Sequence, residues 1–209
     1  MKPEIKISYN QFLDPIFIFY CQNHPDLKKM GWNDWTPPTK EAMDVRVKNY
    51  REAWRQIEER VLKSLQENLK LNFKRNVIDV HIVSGNPRQF SRPLVIKSGY
   101  SKVDFIITII HELIHVLLSD NEHALPHPKD IFPKHHKESQ TTKNHIVVHA
   151  VLKIIFLETL NSKELLDRNI EISTKHSTKD YLRAWEIVND NGANQIISEF
   201  ISSYKVDNI

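Results

Sequence analysis

Hydrophobic and polar residues along this chain change period several times, and each change predicts an element. From residue 102 to 119 apolar positions dominate, with Phe105, Ile106, Ile107, Ile109, Ile110 and Leu113 in close succession, then Ile114, Val116, Leu117 and Leu118. That density predicts a helix buried on most sides. Its polar positions fall together. At about 100° of rotation per residue, Asp104, His115, Thr108, Ser119 and Glu112 all lie within roughly 100° of His111, so one polar arc runs down an apolar rod. Buried polar groups need partners, and something must supply them along this arc.

Other segments are read in the same way. Over residues 39–71 the apolar positions Met43, Val47, Tyr50, Trp54, Ile57, Val61, Leu65 and Leu69 recur every three or four residues, predicting one long amphipathic scaffold helix with Thr39 as its N-cap. Residues 76–83 and 93–97 have β-strand composition and are separated by the turn signal Ser84-Gly85-Asn86-Pro87. They predict a small sheet, and the second strand is expected at an edge where an extended peptide backbone can pair with it. Residues 120–137, rich in Pro and His, predict a long loop, with His123, His127, His135 and His136 as surface imidazoles. A second buried helix is predicted over 139–160, followed by shorter ones over 162–172, 178–191 and 193–204, the last two divided by Gly192. The first 38 residues hold an aromatic and apolar stretch over 12–20 and then a Pro- and Trp-containing loop, with no period that assigns an element.

These elements give an α+β fold, mostly helical, with a small sheet before the helix at 102–119. With 209 residues, 40% hydrophobic and 26% charged, the chain reads as one domain with a real core: a helical scaffold over 1–75, sheet and buried helices over 76–160, and C-terminal helices over 161–209. Net charge is only +3 and the cations are interleaved with anions, so no strong nucleic-acid or membrane signal follows. The clusters Lys70, Lys74, Arg75 and Lys134, Lys137 read as solvated surface. Cys21 is the one cysteine, which excludes an intrachain disulfide and paired-thiolate zinc ligation and makes a cytoplasmic location the expectation. Four glycines in all leave little material for a phosphate-cradling loop, and no P-loop, dinucleotide glycine pattern or nucleophile elbow is present.

Chemistry concentrates in His111-Glu112-Leu113-Ile114-His115. Two histidines four apart on a helix point the same way and can grip one zinc ion, while Glu112, about 100° round from His111, can reach a water on that metal without being a ligand. The second buried helix repeats the spacing with His145 and His149. One of these is the expected third ligand and the other its supporting group. Glu138, two turns before His145, is a further alternative ligand.

The pattern resembles the zincin metallopeptidases, and more narrowly the gluzincins typified by thermolysin. In those, the H-E-x-x-H helix precedes a second helix bearing Asn-Glu-x-x-x-Asp, whose Glu is the third zinc ligand and whose Asp orients a zinc histidine. Here Asn144-His145 and His149 stand in the comparable places, so the resemblance implies His145 as third ligand, with both acidic residues replaced by histidine. Similarity covers residues 76–160 in pattern only. The longer metzincin signature is absent, since Leu118 stands where it needs Gly.

What the resemblance implies is a zinc metallopeptidase, a hydrolase acting on a peptide or protein, in which Glu112 is the general base. His176 and Tyr181 are candidate donors to the tetrahedral oxyanion. A different class of function is a non-catalytic zincin-like regulatory or binding module, against which the carboxyl of Glu112 argues, because a purely structural zinc has no need of a base. A DNA-associated SprT-like protease shares the motif but calls for a basic, aromatic surface that is not evident here.

Overall fold

A four-stranded mixed sheet is the only sheet among the described residues of a computed structural model, which comprise 2–86, 89–126, 132–176 and 179–205. The order is β1 (Glu4–Tyr9), β2 (Val77–Val83), β4 (Leu94–Lys97), β3 (Phe90–Ser91), with β1 and β4 parallel to β2 and β3 antiparallel to β4. The fold class is thus α+β, as the patterning predicts. Two features differ from expectation. β1 comes from the unassigned N-terminal segment, and β4 is not an edge strand, because β3 pairs with it through Leu94 and Val95. That place belongs to the two-residue β3, which offers little backbone for an added strand.

The chain divides into two compact units that are discontinuous in sequence, and so cut across the contiguous parts 1–75, 76–160 and 161–209. One comprises residues 3–56 and 75–112. In it, α3 (Lys40–Arg55) starts at the Thr39 cap, whose hydroxyl oxygen accepts from Ala42 N at 3.3 Å, and buries Met43, Val47, Tyr50 and Trp54. Tyr50 stacks on Phe105 with centroids 4.1 Å apart and planes at 4°. Its hydroxyl lies 2.8 Å from the Ser98 carbonyl and 2.7 Å from that of Tyr100. That contact pins the turn between β4 and α5 (Lys102–Asp120), so the helix is launched at once from a central strand. The α1 helix (Asp14–Asn23) and short α2 (Pro25–Lys29) belong to the same unit.

The other unit comprises residues 1–2, 57–74 and 113–209. It holds α4 (Glu58–Leu69), α6 (Gln140–Ile154), α7 (Lys163–His176), α8 (Lys179–Asn191) and α9 (Ala193–Lys205). A single helix over 39–71 is not what forms. The α-helical path is interrupted at Gln56 and Ile57, where Ile57 adopts φ −123°, and α4 begins at Glu58. Trp54, Ile57 and Val61 stay in helical phase across the break, which is why periodicity conceals it.

Within this unit α6 packs against α8 and α9 and is buried almost all round. Ser139 caps it, accepting from Thr142 N at 3.0 Å. The predicted helix over 139–160 ends its α-helical part at Ile154 and closes with a π-helical turn, Ile155–Thr159. Gly192, at φ +85°, takes the left-handed turn that separates α8 from α9. Of the loop over 120–137, short 3₁₀ turns at Glu122–Ala124 and Pro133–His135 are described, with His123 and His136 exposed and His135 half-buried, while His127 lies outside the described residues. No helix among the described residues is long and apolar enough to cross a membrane.

Candidate metal site

The polar arc of α5 behaves as its spacing requires. Phe105, Ile109, Ile110, Leu113, Ile114 and Leu117 are sealed in the core, whereas Asp104, Thr108, His111, His115 and Ser119 are half-buried. Glu112, at the flank of the arc, is 8% exposed. Although the boundary between the compact units falls between Glu112 and Leu113, α5 runs through it without a break, so one helical turn fixes His111 relative to His115.

His111, His115 and His145 each bring a ligand nitrogen to within 4.8 Å of the others. Around a tetrahedral zinc, with Zn–N of about 2.0–2.1 Å, ligand nitrogens stand roughly 3.3 Å apart. The three imidazoles need to draw in by at most about 1.5 Å, within the reach of side-chain rotation. Donor chemistry also fits, since three imidazoles are an established zinc set.

One hydrogen bond orients His145. Its Nδ1 lies 2.8 Å from the carbonyl oxygen of Thr141, one turn earlier in α6. A carbonyl only accepts, so Nδ1 carries the proton and the Nε2 lone pair remains for a metal. Burial favours the neutral, ligating form of His115 and His145. Burial, with a smaller effect of His145, lowers the pKa of His115 to about 4. Burial also lowers that of His145, opposed by the Thr141 carbonyl and by Asp180. His149 is held well below the usual histidine range by burial and then by His145 and His115. His115, His145 and His149 are therefore neutral near pH 7.

Comparison with protein families, curated proteins and solved structures finds no match. The site therefore rests on its own geometry.

His149 is absent from the three-histidine group and has a different setting. It is 1% exposed and stacks on Trp185, with centroids 4.4 Å apart and planes at 15°. Tyr181, one turn before Trp185 on α8, places its ring 4.1 Å from that of His145 and 5.8 Å from that of His149. The i, i+4 pair His145/His149 on α6 thus meets the i, i+4 pair Tyr181/Trp185 on α8. Tyr181 contacts the site through its ring. The four-residue spacing of Tyr181 and Trp185 was a visible signal for this contact, although only Tyr181 stood out by its chemistry.

Glu138 is likewise outside the group: its Oε1 accepts from Arg183 Nε at 2.9 Å and lies 2.9 Å from Arg183 Nη2. His176 ends α7, and its side chain lies outside the described residues. Burial raises the Glu112 carboxyl to a pKa of about 7. A carboxyl poised there can take up and release a proton near neutral pH. Sequence reasoning passed over Tyr100, whose hydroxyl is hydrogen-bonded by Gln89 and whose pKa burial raises to about 12, with smaller upward contributions from Asp104 and Glu112.

Proposed function

We propose that this protein is a zinc-dependent metallopeptidase acting on peptide or protein substrates. The observation that carries the reading is the convergence of three imidazoles, two of them flanking a buried carboxyl whose pKa burial raises to about 7. His111, His115 and His145 would hold the zinc. When bound, zinc supplies Lewis acidity towards water and a carbonyl oxygen.

The chain's own residues supply the rest. Thr141 holds the His145 ring in the tautomer that presents Nε2. Glu112 accepts a proton from the attacking water and returns it to the leaving amine, a transfer suited to a carboxyl with pKa close to working pH. Tyr181 and Trp185 pack against His145 and His149 and limit their rotation.

Glu112→Gln tests the assignment. Zinc content should be unchanged, and hydrolysis of an unfolded protein substrate such as casein should fall by about 10²–10⁴-fold, the usual worth of a general base. Turnover retained in that variant removes Glu112 from the mechanism, and no zinc-dependent hydrolysis by the wild type removes the peptidase reading.

A further inference from the structure

The aromatic stretch over 12–20 forms a helix that is inside out. The buried face of α1 carries Asp14, 1% exposed, and Cys21. Asp14 is fully engaged, accepting from Ser84 N, Ser84 Oγ and Tyr9 Oη, each at 2.6 Å. On the opposite face, within an arc of about 100° of helix rotation, lie Ile16 at 63% exposed, Phe19 at 69% and Tyr20 at 44%, and Phe12, in the turn just before the helix, is 92% exposed. Phe90 on edge strand β3, 44% exposed, extends the surface and lies 6.2 Å from Phe17 of the same helix.

At about 200 Å² for a large side chain, these exposures amount to roughly 600 Å² of apolar surface, the top of the range of about 300–600 Å² for the largest patch on a monomer. Two such faces together bury about 1,200 Å², the lower bound of a standard specific interface. The arc bears no charge, so two identical faces can meet about a two-fold axis without apposing like charges or burying an unpaired one. Aromatic enrichment with charge depletion is the composition of an interface core. A bilayer is the poorer fit: α1 has no Lys or Arg, and nearby Lys29 is paired with Asp26 at 3.3 Å.

We infer that the α1 face, with Phe90 beside it, is the contact surface of a homodimer, its occupant being the same face of a second copy of this chain. The inference does not depend on the metal site. The test is light scattering coupled to size exclusion on the full chain at tens of micromolar, for wild type, Phe19→Ser and Phe12→Ser, with far-UV circular dichroism as the fold control. Wild type should run at twice the chain mass. Each variant should shift towards chain mass with an unchanged spectrum, and should Phe19→Ser lose its fold, Phe12→Ser carries the test from a fully open position. Monomeric wild type overturns the inference, whether or not it floats with phosphatidylcholine vesicles. A dimer that survives both substitutions also overturns it.

Discussion

Replacing Trp185 by Ala tests whether the α8 aromatics hold the second histidine pair in place. The indole is 1% exposed and stacked on His149, so truncation removes both a core side chain and a ring contact. Large-aromatic-to-alanine changes in a core cost about 3–5 kcal/mol. In a chain of this length each kcal/mol lowers the thermal midpoint by roughly 2–4 °C, giving an expected fall of about 6–20 °C for the metal-free protein. Trp185→Phe keeps a stacking ring and should lose less than half as much. Because His149 lies one turn after His145 on α6, loosening it should also weaken zinc binding by up to about tenfold, should His145 ligate as proposed. The assays are thermal unfolding followed by circular dichroism and zinc titration against a competing chelator. A midpoint for Trp185→Ala within about 2 °C of wild type would refute the packing argument. So would a Trp185→Phe variant as damaged as the alanine one.

Stability should also fall in alkali. Burial raises Tyr50 to about 12, and the folded state therefore favours its neutral phenol, so this contribution is complete below the unfolded pKa of about 10 and is lost as pH rises from 10 towards 12. Tyr50→Phe should flatten the dependence of urea-unfolding free energy on pH in that window, and an unchanged slope would count against it. Asp14→Ala strips three hydrogen bonds from a buried carboxylate and leaves the Ser84 donors without that acceptor, for an expected loss of about 3 kcal/mol in urea unfolding. A loss under about 1 kcal/mol would mean that α1 is anchored by other contacts.

How much was legible in the sequence follows from the range of the interactions concerned. The helix at 102–119 is legible because its apolar residues cover most of its circumference, and α5 ends one residue later, at Asp120. The three clustered histidines are legible in two spacings of four, since a helix turn converts spacing directly into a shared face. Spacing does not choose between His145 and His149, because residues four apart lie on the same face, and it is contact with α8 that stacks His149 on Trp185. β1 was missed because its partner, β2, begins at Val77, far along the chain, and only Ile7 of the strand is fully buried. The break at Ile57 preserved the hydrophobic phase. The outward aromatics of α1 stand out in the sequence as a stretch, but their orientation depends on Asp14 finding Ser84, a long-range contact that no local pattern records.

The most direct measurement is zinc stoichiometry in purified wild type beside His145→Ala, His149→Ala and Glu138→Ala. Wild type should hold one zinc per chain, His145→Ala should lose it, and Glu138→Ala should keep it. A full equivalent of zinc in His145→Ala, or none in wild type supplied with the metal, would contradict the three-histidine site.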